Sequence, residues 1–423
     1  MKVHLIILLF FSLCIWTQDA AYLPSIYGMQ GLRISCDTEL QLKYVRNYEG
    51  SLGFDFIKIP RVLQKPIEVL VVAEKLQLFK NNLIANGINY EVFLEDVGAH
   101  IDKQFALEYD ERIVNPKNEI LKTFPLYNEI TLYLESLQNS HSDILQTFTI
   151  GKSFENRDII GVKISSGGSG KPALFIDAGI HAREWIAPTT AIYAIKQLAE
   201  NASNSYIFDN IDIYIVPCLN PDGYEFTHRN SANRMWRKTR STKKFSPCVG
   251  VDANRNFDFE WMTVGASSNP CSETYAGVTA FSEPETSALR DFLLSKNNTI
   301  KVYITFHSYG NFLLHPWGYT EELPTNEPTL RCVADKAENK LSQKRGTHYE
   351  IGSSTNVLYA AAGGSDDWAM GVAGIELAYT MELPSQRYGF AAPRSEIIPV
   401  GQETFEAIKI FAKYVEGVKC QDL

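Results

Sequence analysis

The sequence predicts an α/β domain with a mixed, largely parallel twisted sheet and helices on both faces, preceded by a smaller α+β unit. Three observations predict it. Four apolar runs, "PALFIDAGI" (172–180), "IDIYIVPCL" (211–219), "KVYITF" (301–306) and "IELAYTM" (375–381), are too continuous for strands with one wet face, so they read as strands buried on both sides. Helical patterns fall between and after them. Residues from about 22 to 112 carry shorter, alternating runs instead.

Taken in order, 423 residues suffice for two or three domains. Lys2 and the apolar stretch Leu5 to Trp16, too short to span a bilayer, read as a secretory signal peptide assigned to residues 1–20, with cleavage near "TQDAAY". Residues 21–112 form the α+β unit, with "IEVLVVA" and "INYEVFL" as strands, "EKLQLFKNNLIAN" as the helix between them and "VGAHIDKQFALEYDER" as a charged helix after them. The polar "DERIVNPKN", with Pro116, reads as an exposed linker. A secreted chain with an extra N-terminal domain and a basic residue in such a linker suggests a precursor; an ordinary accessory domain is the alternative. In 113–423 the strand runs alternate with the helices "APTTAIYAIKQLAEN", "SEPETSALRDFLLSK", where Ser282 and Glu285 form a capping box, and "ETFEAIKIFAKYVEGV".

A composition of 45% hydrophobic and 21% charged residues is that of a globular protein and excludes disorder or a fibrous repeat. A formal net charge of −9 disfavours nucleic acid and anionic membrane as partners, because those surfaces need clustered Lys and Arg to replace counterions. The one basic cluster, "RMWRKTR" (Arg234 to Arg240), needs its own explanation. Beyond the signal lie Cys36, Cys218, Cys248, Cys271, Cys332 and Cys420, and an oxidising compartment lets some of them pair. Sequons at Asn201 and Asn297 fit the same route.

In an open α/β sheet, functional side chains collect at the carboxyl ends of the strands. The first run leads into His181 and Glu184, the third into His307 and the fourth into Glu382. His181 and Glu184, three apart, can aim at one point. Adding His307 makes a two-histidine, one-carboxylate set that leaves a fourth position open on tetrahedral zinc.

"HAREW", "NRMWRKTRS", "CVGVDANRNFD", "HSYGN", "GGSDDW" and "ELPSQRYGF", in that order, resemble the zinc metallocarboxypeptidases of the pancreatic A/B type, over essentially the whole chain. The resemblance implies a ferredoxin-like activation domain, a secreted monomeric zymogen and one Zn2+ per catalytic domain on His181, Glu184 and His307. It makes Asp252 the carboxylate that orients His181 through its other ring nitrogen, and Glu382 the general base and proton shuttle. Arg237 resembles the arginine that stabilises the oxyanion, Arg183 a contact further up the substrate, and Asn254 with Arg255 the pair that grips the terminal carboxylate. Lys238 and Arg240 match no such role and are expected on a solvated face. Tyr359 resembles the mobile tyrosine over the bound C-terminus, and Tyr309 a further substrate-lining one. Asp366 stands where A-type relatives are apolar and B-type relatives meet lysine or arginine; Asp367 is common to both and reads as structural.

Cys248 and Cys271 align with the family's disulfide, and a trypsin-like protease is expected to cut between Arg112 and Ile113. Peptide and protein C-termini are the implied substrates, and proteinaceous carboxypeptidase inhibitors are further partners. The alternatives are an A-type or broad-specificity enzyme, and a catalytically inactive peptide-binding member of the same fold. The inactive reading would be expected to lose the base or a ligand, and Glu382 and all three ligands are present. Departures are small: Ala182 where serine is frequent, Phe257 where tryptophan is, and "MELPSQ" in place of the usual charged residues.

Overall fold

The computed structural model describes residues 25–423 apart from 61, 62, 64, 115–118, 245 and 385–388, with the backbone alone at 110 and 112–114. The signal segment, the linker around Pro116 and part of "ELPSQRYGF" lie outside the described residues.

The N-terminal unit runs β1 (Gln30–Ser35), α1 (Glu39–Arg46), β2 (Phe54–Lys58), β3 (Ile67–Val71), α2 (Ala73–Ala85) and β4 (Asn89–Leu94). Its antiparallel sheet has the order β2-β3-β1-β4, the ferredoxin-like layout expected. Thr38 caps α1 by accepting the Gln41 N–H. Leu32, Ile34, Val69, Val71, Phe79 and Leu83 form the small core. Next comes α3 (Val97–Val114), with the Asp96 side chain accepting the Ala99 N–H at 3.0 Å. This helix bears out the charged helix expected up to Arg112 and runs two residues further, through Ile113 and Val114, into the segment expected to be an exposed linker. Tertiary contacts outweigh local polarity here, since Gln104 donates to the Ala392 carbonyl at 2.7 Å and Glu111 pairs with Arg394 at 3.1 Å.

The second unit runs α4 (Tyr127–Ser140), β5 (Leu145–Lys152), β6 (Asp158–Ile164), β7 (Ala173–Ala178), α5 (Ile186–Glu200), β8 (Asp212–Val216), α6 (Pro221–His228) and α7 (Pro284–Lys296). It continues with β9 (Ile300–Ser308), β10 (Phe312–His315), α8 (Glu327–Arg345), β11 (Glu350–Ser353), α9 (Ser354–Val357), α10 (Ser365–Gly371), β12 (Leu377–Leu383) and α11 (Ile397–Val415). The eight strands lie in the order β11-β10-β12-β9-β7-β8-β6-β5. The four apolar runs are its parallel centre, β12, β9, β7 and β8, and antiparallel pairs join that centre to the outer strands at β10/β12 and β6/β8.

Alternation splits each central strand between two cores. Leu174, Ile176, Ile304, Phe306, Tyr379 and Met381 face α4, α5, α8 and α11. Phe175, Tyr303 and Ala378 face α7 and α10. Along that second face every other residue turns polar towards the carboxyl end: Phe175 gives way to Asp177, Tyr303 to Thr305 and His307, and Ala378 to Thr380 and Glu382. The sheet thus presents its chemistry at one edge.

The expected capping box at α7 does not form. The N-cap is Glu283, the Ser282 hydroxyl is engaged by Asn256 Nδ2 at 3.1 Å, and Glu285 accepts the Phe154 N–H at 2.9 Å. Cys248 and Cys271 are joined, as the resemblance implies, and a second disulfide joins Cys332 on α8 to Cys420 across 88 residues. Cys36 and Cys218 are buried thiols. On the loop-entropy model the Cys332–Cys420 link is worth about 4–5 kcal/mol. Replacing both cysteines by serine should lower the free energy of unfolding by roughly that amount in a denaturant titration, and an unshifted midpoint would show the link to be without consequence.

Candidate metal centre

After β7 the chain turns at Gly179, whose φ of +66° is left-handed and whose Cβ would lie 3.0 Å from Pro188 and 3.3 Å from Cys218. That turn swings His181 and Glu184 over the strand ends ahead of α5. His307 rises from β9 beside them, and His181, Glu184 and His307 are all buried. Glu184 bridges the two rings: one oxygen is 2.8 Å from His181 Nδ1, the other 3.2 Å from His307 Nδ1, and the second also accepts the Ser308 N–H at 3.2 Å.

The donor set fits a cation. Asp252 takes the outer nitrogen of His181, Nε2, at 3.0 Å, which places the ring proton there and leaves the Nδ1 lone pair facing inward. Nδ1 of His307 lies 3.1 Å from Nδ1 of His181, and donor atoms of all three residues fall within 4.8 Å of one another. Two imidazoles and one carboxylate converging in this way are a zinc-type donor set. Burial opposes the Glu184 charge, and the two histidines outweigh it, so the carboxylate stays ionised.

Asp252 does more than hold one ring. Fully buried, it also accepts from Arg237 Nε at 3.2 Å and Nη2 at 2.9 Å and from the Asn254 N–H at 3.0 Å. Burial raises its pKa, but Arg237, Arg255 and His181 together drive it well below the usual carboxylate range. Arg237 Nη1 is thereby held 3.9 Å from Glu184. Arg255 donates to the Gly265 carbonyl at 2.9 Å and to the Asn254 carbonyl at 2.8 Å, while Asn254 Oδ1 accepts the Ser365 N–H at 2.9 Å and so pins the start of α10. Next along α10, buried Asp366 accepts Thr380 Oγ1 and the Asp367 N–H, each at 3.0 Å. Asp367 accepts the Gly318 N–H at 2.9 Å. Glu382, half-buried, stands directly opposite His307 in the β12/β9 register, and burial, reinforced by Glu184 and opposed by His307 and Arg237, raises its carboxyl to about 7.

The N-terminal unit lies over this edge. Asp55 on β2 grips Arg183 through both oxygens, the longer contact being 3.2 Å, and the Arg183 guanidinium lies 4.1 Å from the Phe390 ring centre. Lys65 pairs with Glu350. Tyr359 packs against the small core, with Arg255 5.7 Å from its ring, and Tyr309 is buried against Phe390. A cavity of about 690 Å³ remains between the units, lined by Asp55, Arg183, Arg237, Arg255, Glu273 and Tyr359 among others.

Two basic residues depart from expectation. Lys238 and Arg240 are buried, not on a solvated face: Lys238 donates to the Pro270 carbonyl at 2.8 Å, and Arg240 lies 3.6 Å from the Phe226 ring centre. Sequence reasoning also passed over Arg234, which has no exposed surface. Its guanidinium stacks 3.8 Å from the Trp185 ring and donates to Gln104 Oε1 at 3.0 Å, to the Arg183 carbonyl at 2.5 Å and to the Phe390 carbonyl. The interleaved Trp236 was the available signal, since a basic run broken by an aromatic suits stacking better than hydration.

Residues 130–407 match the family model described as zinc carboxypeptidase, and residues 32–104 match the carboxypeptidase activation peptide. A carboxypeptidase B of Astacus astacus is 47% identical over 293 residues, covering 69% of this chain and 96% of that protein. Carboxypeptidase A1 of Bos taurus is 40% identical over 389 residues, covering 89% and 91%. The crystal structure of carboxypeptidase A from Helicoverpa armigera superposes with a TM-score of 0.85 at 31% identity, over 93% of this chain and 98% of that one. With a matching catalytic domain, a matching activation peptide and a buried His/Glu/His cluster at the sheet edge, the chain belongs to the zinc carboxypeptidase family and carries its activation peptide.

Proposed function

We propose that this is a secreted zymogen, with signal 1–20, activation domain 21–112 and catalytic domain 113–423, whose mature form removes C-terminal lysine or arginine from peptides and proteins, in a digestive role. The observation that carries the specificity is Asp366, a buried carboxylate one residue beyond the hydrogen bond that ties α10 to Asn254. His181, Glu184 and His307 would hold one Zn2+. Bound there, zinc supplies Lewis-acid chemistry, polarising the scissile carbonyl and the attacking water.

The protein does the rest. Asn254 and Arg255 grip the substrate carboxylate, which makes the enzyme an exopeptidase, and Tyr359 closes over it. Arg183 and Tyr309 contact residues further up the substrate. Glu382 takes a proton from the attacking water and delivers it to the leaving amine as the C–N bond breaks. Arg237, locked in place by Asp252, stabilises the charge developing on the carbonyl oxygen. An A-type or broad specificity is the second reading, because relatives named carboxypeptidase A1 match as well as those named B.

Glu382→Gln should keep zinc yet lower kcat by about 10²- to 10⁴-fold, whereas His307→Ala should lose the metal on dialysis. The base must be deprotonated, so activity falls as pH drops through its pKa; a bound cation lowers that pKa, and the acid limb of kcat/KM should sit at or below about 7. Near-normal turnover in the Gln variant would remove Glu382 from the mechanism.

For specificity, kcat/KM is compared for two peptides differing only in C-terminal Arg or Leu. A buried carboxylate held by neutral donors, the Thr380 hydroxyl and the Asp367 N–H, gains a counter-charge from a basic side chain, which favours the basic peptide by about a hundredfold or more, and Asp366→Ala should erase that preference. Equal rates on the wild-type enzyme would favour the second reading.

Trypsin treatment should yield a product beginning at Ile113. The last turn of α3 must open to present that bond, so cleavage should be slow until the helix end is destabilised. In the cut complex, Asp55→Ala should weaken inhibition by the activation fragment by at least about tenfold, since one side of the Asp55–Arg183 pair is buried. Unchanged inhibition would take that pair out of the latency mechanism.

A further inference from the structure

The two histidines of the cluster are held differently. His181 has its outer nitrogen on Asp252. His307 directs Nδ1 to Glu184, and its outer nitrogen, Nε2, is buried without a partner of hydrogen-bonding geometry. A neutral imidazole that offers Nδ1 to a cation carries its proton on Nε2, and a buried N–H calls for an acceptor.

Matching chemistry stands on the same sheet face. Asp177 on β7 is directly opposite Thr305 on β9, and Thr305 Oγ1 donates to Asp177 Oδ1 at 2.8 Å. His307 follows Thr305 by two residues, so it rises from that face one step nearer the strand end, with its Cα about 8 Å from that of Asp177. Asp177 is fully buried, and its other oxygen, Oδ2, has no partner. Two more buried hydroxyls adjoin it, Tyr303 Oη, from two residues before Thr305, and Ser365 Oγ, at the start of α10: Tyr303 interacts with both Asp177 and Ser365, yet neither hydroxyl has a partner of full hydrogen-bonding geometry.

Four such atoms in one buried region define a polar site with enough donors and acceptors to bind a water. We propose that Asp177 is the positioning carboxylate of His307, its Oδ2 receiving the Nε2–H through one ordered water that Tyr303 and Ser365 help to hold. Each histidine then has its own carboxylate, Asp252 directly and Asp177 at one remove. The inference rests on the proposed metal role of His307.

The test is Asp177→Asn in the full chain, with zinc affinity measured by competition against a chromophoric chelator well below the melting temperature, and with kcat and KM measured after activation. The expected result is zinc binding weakened by about 10- to 100-fold and a fall in kcat with KM little changed. A residue that only supports the fold would lower the melting temperature and leave zinc affinity alone, and that result would overturn the proposal. His307→Ala is run in parallel: if it kept zinc, the metal reading would fail, independently of Asp177. Should the Asn variant not fold, a high-resolution crystal structure of the wild-type zymogen decides. A water within hydrogen-bond distance of both Asp177 Oδ2 and His307 Nε2 supports the proposal; a dry gap between them overturns it.

Discussion

The site depends on one fully buried carboxylate. Asp252 takes bonds from His181 Nε2, from two nitrogens of Arg237 and from the Asn254 backbone, so a single side chain fixes a ring tautomer, aims a guanidinium and shapes the turn that presents Asn254 and Arg255. A buried charge left with one partner is costly, and one with four charge-assisted bonds is held rigidly. Losing any one of these bonds would loosen the others. The His181/Glu184/His307 cluster, the Arg237 guanidinium and the Asn254–Arg255 pair are therefore a single construction.

That construction stands at a sheet edge already specified by the parallel strands. Because β7, β9 and β12 run in one direction, their last residues gather at one end, and helices cover both faces up to that point. Polar residues replace apolar ones mainly on one of the two faces. The opposite face stays apolar almost to its end, with Phe306, Met381 and Leu383 all without exposure and Ser308 closing β9, so the site rests on a packed floor.

This division explains what could be read from the sequence. The central strands were legible because burial on both faces makes them continuous apolar runs. Strands β5, β6, β10 and β11 were not, since they are short or outer strands whose pattern is mixed, as in "LQTFTIGK", whose exposed residues fall three apart and not in alternation. The strand-end histidines and carboxylates were legible from position and motif. Tertiary partners were not: Lys238 and Arg240 are buried because Phe226 and the Pro270 carbonyl, both outside the basic run, receive them together with the neighbouring Trp236. The helical backbone at Ile113 and Val114 has the same origin, for a polar segment reads as a linker until the surface it docks on is known. The Cys332–Cys420 link depended on the packing of α8 against the C-terminus, which no spacing encodes.

Arg234 carries a consequence for the mature enzyme's history. One of its acceptors, Gln104, belongs to α3, on the N-terminal side of the proposed cut. Without that segment the guanidinium has the Arg183 and Phe390 carbonyls and the Trp185 ring to hold it, but its Nε loses the Gln104 acceptor. The buried cation beside the Arg183 backbone is thus better provided for in the full chain than in the domain that outlives it.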